Sequence, residues 1–332
     1  MSNIDIRTLD LETDQLDNKI TILEAAEVGL NKNSSNQNYS IRMRPNSTTL
    51  LHCGAFATQG TSLKDLKASD RVSTYDGART IFNRFSSTGS YILSAHNASF
   101  ERKALNQFAF TNCFPPYPDS SKLVLDTMDV FKAAAAISPS TFDFYNAETG
   151  KHTVSMSYLC KTLLNKEETH KAYDDVIDTN HCLQKVFQQI PEIQGLIEYV
   201  SDNDNRDILF ESPLLMRLSL SSINGPYSQI ISWLTDYEEW GGWGITLMFP
   251  DNFEWEDDVN QLVDELKRKV KVSITKKKRV ALLFPLKSKT FKKFYPNYPE
   301  DKIAKVMELI RNDNAFIQDK VAEIKKRYSS KD

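Results

Sequence analysis

Two acidic residues near the start of the chain have the spacing of metal ligands on a strand. Asp10 and Glu12 are two positions apart, at the end of the alternating run 4–9. Residues two apart on a β-strand point to the same face of the sheet, so the two carboxylates can share one cation. Hard cations such as Mg²⁺ take oxygen ligands, which carboxylates supply. This pair therefore predicts part of a divalent metal site.

A third acidic residue, Glu101, follows an apolar run that predicts a strand at 91–95. His96, at the end of that strand, is expected to be a structural hydrogen-bonding residue. Asn97 or Ser99 can cap a helix that begins directly afterwards. Glu101 would then lie in the first turn of this helix, close to the end of the strand.

A histidine and an aspartate further along the chain, His170 and Asp175, complete the candidate set. On one continuous helix their side chains would be separated by about 140° around the axis, at ~3.6 residues per turn. They converge more easily if His170 lies in a loop and the helix begins near Ala172, because Asp175 is then carried inward. The neighbouring Asp174 is expected to face solvent.

Four carboxylates and one histidine suit the hydrolysis of a phosphodiester. Two divalent ions roughly 3.5–4 Å apart can clamp the attacking and leaving oxygens of such a reaction. A histidine can accept a proton from the attacking water near neutral pH. These residue types therefore indicate a metal-dependent phosphodiesterase.

The three motifs resemble those of the DnaQ-like 3′→5′ exonucleases of the DEDDh type, which read Asp-x-Glu, His-Asn-x-x-Phe-Asp and His-x-Ala-x-x-Asp. They occur here at 10–12, 96–101 and 170–175. Within that superfamily the chain is similar to the exonuclease I family, which segments 54–61, 125–130 and 155–159 also resemble. The resemblance implies that Asp10, Glu12 and Asp175 hold metal. It assigns the role of general base to His170.

Position 101 departs from the family pattern, because the family has Asp where this chain has Glu101. The extra methylene moves the carboxylate by about an ångström, and such a misplacement can cost on the order of 10²-fold in rate. A glutamate still coordinates Mg²⁺ or Mn²⁺. We therefore expect Glu101 to be a metal ligand of an active enzyme, whose metal preference can differ from that of the family.

The resemblance also implies the cofactor, the substrate and a partner. The cofactor would be two Mg²⁺ ions, for which Mn²⁺ can substitute. The substrate would be single-stranded DNA, degraded from its 3′ end to mononucleotides, and the partner a single-stranded-DNA-binding protein. Nucleic-acid contacts are expected from the motifs and from the run 267–293, which holds twelve Lys or Arg and no acid. The candidate contacts are Thr13, Asn97, Phe100, Lys276, Lys277, Lys278 and Arg279.

The order of predicted elements indicates an α/β fold in two domains. Residues 1–200 are expected to form a mixed five-stranded sheet flanked by helices. The resemblance implies that this is the DEDDh exonuclease domain, with an RNase H-like architecture. Residues 207–332 are expected to form an α+β domain with C-terminal helices, after the polar run 201–206. The order of its predicted elements resembles the SH3-like domain of the exonuclease I family. The segment 138–152 is predicted to be a loop near the site.

Strands and helices are predicted in both halves from the spacing of apolar residues. The first half has predicted strands near 4–12, 20–28, 39–44, 91–95 and 122–126, with a helix near 74–86. The second half has predicted strands near 216–220, 228–234, 244–249 and 279–284, with two helices at the end.

Composition argues against several other classes of protein. The 332 residues carry a net charge of −3, so the chain is not basic throughout. Four cysteines without zinc-ligand spacing indicate reduced thiols, and no segment approaches the ~20 apolar residues of a membrane span. We expect a cytoplasmic protein. The family continues into a further helical domain that this sequence lacks, so we also expect lower processivity or reliance on a partner.

Two alternatives to an active exodeoxyribonuclease stay open at this point. If Glu101 weakens the chemistry, the chain is a single-stranded nucleic-acid-binding or scaffold protein. If the chemistry acts on another polymer, the chain is a DEDDh exoribonuclease. The predicted second domain argues against an exoribonuclease of the oligoribonuclease type, because those enzymes are short and have a single domain.

Overall fold

The computed structural model of the protein describes thirteen segments of the chain and divides it into two compact units. The described residues are 5–14, 20–30, 38–45, 52–87, 91–115, 123–201, 215–236, 243–248, 258–269, 271–276, 279–280, 283–285 and 299–329. The first unit combines 1–131 with 154–191, and the second combines 132–153 with 192–332. The predicted division of the chain at 200–207 stays a prediction, and in the structure the segment 132–153 groups with the second unit.

A mixed β-sheet forms the centre of the first unit. Its strands are β1 (Ile6–Thr13), β2 (Ile22–Gly29), β3 (Tyr39–Arg44), β4 (Val72–Ser73), β5 (Ile92–Ala95) and β6 (Leu123–Asp126). Their order in this sheet is β6-β5-β1-β2-β3-β4. Strands β1, β5 and β6 run parallel to one another, whereas β2 is antiparallel to both β1 and β3. The mixed sheet was predicted, but the predicted count of five was wrong, because the two-residue β4 is too short to show alternation.

Helices flank this sheet on both faces. They are α1 (Cys53–Gln59), α2 (Leu63–Leu66), α3 (Thr74–Ser87), α4 (Ala98–Thr111), α5 (Thr127–Ile137), α6 (Met156–Leu159) and α7 (Ala172–Gln189). A π-helical turn, Cys160–Leu164, directly follows α6. Helix α1 covers most of the segment 54–61, which the sequence analysis compared with the family. Gly60 ends this helix in the left-handed conformation that glycine adopts at low cost.

The alternation in β1 explains how the two faces of the sheet are covered. Leu9 and Leu11 belong to a buried cluster with Ile81 of α3 and Leu105 of α4. On the opposite face, Ala26 and Val28 of β2 pack against Ala172 and Val176 of α7. Asp10 and Glu12 alternate with these two leucines, so they are on the α7 side of the sheet. This arrangement brings the Asp-x-Glu motif next to the helix that carries the third motif.

The second unit contains a hairpin, an antiparallel sheet and helices. Its strands are β7 (Tyr145–Asn146), β8 (Lys151–His152), β9 (Leu215–Ser221), β10 (Gly225–Asp236), β11 (Trp243–Met248), β12 (Lys271–Lys276), β13 (Arg279–Val280) and β14 (Leu283–Pro285). Strands β12, β11, β10, β9 and β14 form one sheet in that order, with antiparallel pairs. Its helices are α8 (Pro191–Ser201), α9 (Val259–Lys269), α10 (Glu300–Arg311) and α11 (Asn314–Ser329).

Two features of this unit differ from the sequence predictions. Strand β12 lies in the basic run and was not predicted, because the lysines at its ends hide the alternation of its apolar residues. The segment 138–152 is not wholly a loop: it contains the β7–β8 hairpin, and the amide of His152 donates to the carbonyl of Ser222 at 2.9 Å. None of the helices in the described ranges is both long and apolar enough to cross a membrane.

Candidate active site

The β1 strand presents Asp10 and Glu12 at the end of its pairing with β2. Asp10 lies opposite Ala26, and Glu12 lies opposite Glu24. The register of the two strands shifts between Glu12 and Thr13. Such irregularities increase the local twist of a strand and change the direction of its side chains. The carboxylate of Glu12 is therefore held where the regular sheet ends.

The α7 helix adds the third carboxylate. The helix begins at Ala172, as the sequence predicted, and Asp175 in its first turn is 6% exposed. One carboxylate oxygen from each of Asp10, Glu12 and Asp175 lies within 4.8 Å of the other two. Thr169 donates its hydroxyl to Asp175 Oδ1 at 3.3 Å. The two acids of β1 thus meet an acid more than 160 positions further along the chain in one small volume.

Glu101 faces the same group of acids from α4. It lies in the first turn of that helix, as predicted, and is 6% exposed. Its Oε2 atom is buried and has no hydrogen-bond partner within the described part of the chain. The side chain of Asn97 forms no cap hydrogen bond. The backbone of Asn97 is left-handed, and its backbone N–H donates to Asp126 Oδ1 at 3.2 Å. This turn fixes the start of α4 and hence the direction of Glu101.

Burial and mutual repulsion raise the pKa values of these carboxyl groups. Burial, then the charges of Glu12 and Asp175, raise the pKa of Asp10 well above its usual range. Burial and the charge of Asp175 raise the pKa of Glu12 to about 8. Burial and the charge of Glu168 raise the pKa of Asp175 to about 6. Burial, followed by Asp10 and Glu12, raises the pKa of Glu101.

This set of side chains fits a divalent cation. The donors are all carboxylate oxygens, which are the ligands of Mg²⁺ and Mn²⁺. The unpartnered oxygen of Glu101 and the repulsion among the acids both call for positive charge at this point. Asp10, Glu12 and Asp175 would hold the ion, and Glu101 lies beside them.

We expect the metal-free protein to lose thermal stability as the pH rises from about 5 to about 8. Between its ordinary pKa and its raised value near 8, Glu12 keeps a proton in the folded state that it has released in the unfolded state. The unfolding free energy therefore falls with pH. Mg²⁺ should raise the melting temperature by several degrees more at pH 8 than at pH 5, because the ion replaces those protons. Melting curves of the protein and of Glu12→Gln check this, and an equal pH slope in the variant would contradict it.

His170 lies at the edge of the acidic group, in the loop before α7. Its backbone is left-handed, with φ of 53°, and its side chain is 39% exposed. Its Nδ1 atom lies 3.8 Å from Glu168 Oε1. The sequence predicted this loop position for His170. An accessible imidazole beside buried carboxylates can exchange a proton with a bound substrate or water.

A cleft of about 450 Å³ opens beside Glu12, and its lining includes Arg42, Gln59, His170 and Tyr173. The side-chain amide of Gln59, on α1, donates to the carbonyl of Thr13 at 2.9 Å. Gln59 is also hydrogen-bonded to Glu12, which lowers the pKa of that carboxyl, but burial raises the pKa by more. Tyr173 is 43% exposed. The cleft therefore joins the acidic group to polar and aromatic side chains.

Two arginines hold the wall of this cleft. Glu24 Oε1 accepts from Arg42 Nε at 3.1 Å and from Arg71 at 3.0 Å. The buried Arg71 also donates to the carbonyls of Leu23 and Met43, at 3.1 Å each. Hydrogen bonds to three acceptors on two neighbouring strands fix this edge of the sheet next to Glu12. The network therefore stabilises the strand that supports the site.

The predicted nucleic-acid contacts have different positions in the structure. Asn97 is exposed at the start of α4, whereas Thr13 is buried and Phe100 packs partly against the core. Lys276 and Arg279 belong to β12 and β13 of the second unit. Lys277 and Lys278 lie outside the described residues. His96 donates to or accepts from Thr127 Oγ1 at 3.0 Å, in keeping with the structural role predicted for it.

Several residues at this site were missed by the sequence analysis. Glu168 lies two positions before His170, so attention to acids near the third motif could have found it. Glu24 had no such signal, and Gln59 lies in the segment 54–61, whose resemblance to the family indicated no contact with Glu12. They reach Glu12 through strand pairing and through the packing of α1, neither of which a motif records.

Comparison with known proteins gives a family and a fold. Residues 8–180 match the sequence family RNase_T, described as Exonuclease. No curated protein matches the chain. Escherichia coli exonuclease I in complex with a dT13 oligonucleotide is similar in structure, with a TM-score of 0.73 at 14% identity, over 96% of this chain and 74% of that one.

Two further solved structures are similar. Exonuclease I from Methylocaldum szegediense has a TM-score of 0.71 at 13% identity, over 94% of this chain and 72% of that one. An ExoI/SSB-Ct complex has a TM-score of 0.69 at 15% identity, over 96% and 73%. At these identities the likeness shows the fold: a mixed sheet with flanking helices that matches the RNase H-like fold of exonuclease I.

Proposed function

Because the chain belongs to the RNase_T exonuclease family, we propose that it is a metal-dependent 3′→5′ exonuclease that hydrolyses single-stranded DNA and releases mononucleotides. The observation that carries this proposal is the convergence of Asp10, Glu12 and Asp175, whose carboxylate oxygens lie within 4.8 Å of one another. His170 at the edge of the group completes the set that the chemistry requires.

Each acidic residue has a defined task in the proposed reaction. Asp10, Glu12 and Asp175 bind Mg²⁺, or Mn²⁺ in its place, and Glu101 completes the ligand set. Two such ions, when bound, supply positive charge to the attacking and leaving oxygens of the phosphodiester. The rigid β1 strand and the first turns of α4 and α7 hold these carboxylates in position, so little reorganisation is needed during the reaction.

His170 acts as the general base. Its accessible imidazole accepts the proton of the water that attacks phosphorus as the P–O bond to the leaving 3′ oxygen breaks. The leaving 3′ oxygen takes a proton from solvent, and the imidazole then releases its own proton to solvent. The left-handed backbone at His170 turns the loop so that its imidazole faces the acidic group from outside the helix. The base and the metal ligands are therefore on separate elements, which meet only in the folded chain.

The cleft beside Glu12 receives the 3′-terminal nucleotide. Its volume of about 450 Å³ lies within the range of small-molecule sites, and its polar side chains suit a nucleotide. The exposed ring of Tyr173 offers a surface on which a base can stack, an interaction worth ~1–3 kcal/mol. Arg42 lies on the same wall, where it is paired with Glu24.

We further propose that residues 207–332 form an SH3-like domain that contacts the DNA strand, with Lys276 and Arg279 on its basic strands. The similar structures contain a dT13 oligonucleotide in one case and SSB-Ct in another. By analogy, a single-stranded-DNA-binding protein is the proposed partner. The four scattered cysteines fit a reducing compartment such as the cytoplasm.

Substrate choice is tested by comparing single-stranded DNA, RNA of the same sequence and duplex DNA, with Mg²⁺ present. We expect the fastest release of nucleoside monophosphates from single-stranded DNA, measured by chromatography of the products. Faster release from RNA would replace the proposal with an exoribonuclease. Tight strand binding without release from any polymer would replace it with a binding protein whose chemistry Glu101 has weakened.

The length of the acid at position 101 is expected to limit the rate. Glu101→Asp restores the shorter side chain of the family motif and should raise kcat/KM with Mg²⁺, by up to about 10²-fold if the extra methylene misplaces the carboxylate. Glu101→Gln keeps the length, removes the charge and should lower the rate. Rates on a 5′-labelled oligonucleotide check both variants. Equal losses in the two variants would mean that the site requires a glutamate.

A further inference from the structure

The loop before α7 brings a second set of ligand atoms together, and this set includes a nitrogen. One ligand atom from each of Glu168, His170 and Asp175 lies within 4.8 Å of the other two. Glu168 and His170 are half-buried, and Asp175 is buried. Asp175 also belongs to the carboxylate set with Asp10 and Glu12, so the two sets share one residue.

We infer that Glu168, His170 and Asp175 form a binding site for a transition-metal ion such as Zn²⁺, and that this ion inhibits the enzyme. An imidazole nitrogen and two carboxylate oxygens are donors of the kinds that zinc binds, and they leave the fourth position of its tetrahedron open. Mg²⁺ prefers oxygen ligands and would remain with the carboxylate set. The difference in donor type therefore determines which ion each set prefers, although both sets use Asp175.

The distances require only a small adjustment. At Zn–N and Zn–O bonds of about 2.0–2.1 Å, two ligands of a tetrahedral ion are separated by about 3.3 Å. The His170 Nδ1 and Glu168 Oε1 atoms are 3.8 Å apart, so a shift of roughly half an ångström closes the site. Glu168 and His170 both precede the helix that starts at Ala172 and are only half-buried, so rotation about their side-chain bonds can supply such a shift.

Inhibition follows from the residues that the ion would occupy, and this part rests on the proposed function. An imidazole nitrogen that is bound to zinc has no lone pair with which to accept a proton from water. The ion would also compete for Asp175, which the catalytic metal needs. Zinc bound here would therefore remove the base and weaken a metal ligand at the same time.

The site is tested first by binding, which does not depend on activity. Zn²⁺ is titrated into the metal-stripped full chain against a chromophoric chelator, with millimolar Mg²⁺ present. Glu168→Gln should weaken the zinc affinity by 10-fold to on the order of 10²-fold, since even partners that only orient a ligand cost this much. The matched control is Glu167→Gln, which makes the same charge change at the adjacent exposed position and should leave the affinity unchanged. Zinc should also shift the imidazole NMR signal of His170, which is assigned by its absence from the spectrum of His170→Gln.

The outcomes separate the site from the proposed function. Two results would overturn the site. One is an equal zinc affinity in the unsubstituted protein and in Glu168→Gln. The other is zinc binding that is lost in Asp10→Ala but retained in Glu168→Gln. If the protein hydrolyses DNA, Zn²⁺ should inhibit the unsubstituted protein and Glu167→Gln at the same zinc concentration. Glu168→Gln should need about 10-fold more zinc, or a higher concentration still, to lose the same fraction of its own zinc-free rate. If no polymer is hydrolysed, the proposed function fails, but the binding titration still decides the zinc site.

Discussion

Asp175→Asn is expected to lower the rate of DNA hydrolysis by on the order of 10³-fold, which corresponds to about 4 kcal/mol of transition-state stabilisation. Among the residues that the structure describes, Asp175 is the one acid that belongs both to the set with Asp10 and Glu12 and to the group around His170. The amide keeps the size of the side chain but removes the charge that attracts a metal ion. We expect its apparent affinity for Mg²⁺ to fall together with its rate, and both are measured by titrating Mg²⁺ in single-turnover reactions.

The same substitution should not destabilise the metal-free fold. The burial of Asp175 and, after it, the charge of Glu168 already disfavour its ionised form, raising its pKa to about 6. Removal of that charge relieves repulsion, so the melting temperature of the metal-free variant should be unchanged or higher. Asp174→Asn, at the adjacent position, is the matched control and should cost less than about tenfold in rate. A similar loss in both variants would contradict the assignment.

His170→Ala is expected to lower kcat by about 10²–10⁴-fold, because the proton of the attacking water loses its acceptor. The carboxylates stay in place, so the Mg²⁺ dependence and KM should change little. The measurement is a single-turnover rate on a 5′-labelled oligonucleotide at saturating Mg²⁺. His181→Ala removes an exposed histidine further along α7 and should keep the full rate.

Two results would contradict the role of His170. A rate within about twofold of the unsubstituted protein would show that another group accepts the proton. A loss that excess Mg²⁺ reverses would show that His170 acts through metal binding.

Much of the candidate site was predictable because its parts obey local rules. The alternation around Asp10 and Glu12 determines which face they share, since a strand has a period of two. The helix start near Ala172 followed from the need for His170 and Asp175 to converge, and the structure has the helix from Ala172. Glu101 lies in the first helical turn because its distance from the end of β5 is short.

The remaining features depend on contacts between residues that are distant in sequence. Gln59 reaches Glu12 only because α1 packs near the end of β1, and Glu24 meets it only through the pairing of β1 with β2. The segment 138–152 was predicted to be a loop near the site, but its hairpin groups with the second unit through contacts such as that of His152 with Ser222. Composition and periodicity record none of these pairings, so the sequence alone could not predict them.

The proposed activity is tested most directly by incubating a 5′-labelled single-stranded DNA with the metal-free protein and measuring the product lengths before and after Mg²⁺ or Mn²⁺ is added. The same reactions are run with Asp10→Ala. We expect a ladder of products that shorten from the 3′ end only after metal is added, and no ladder with Asp10→Ala. Cleavage at internal positions, an equal ladder from Asp10→Ala, or an intact strand with both metals would contradict it.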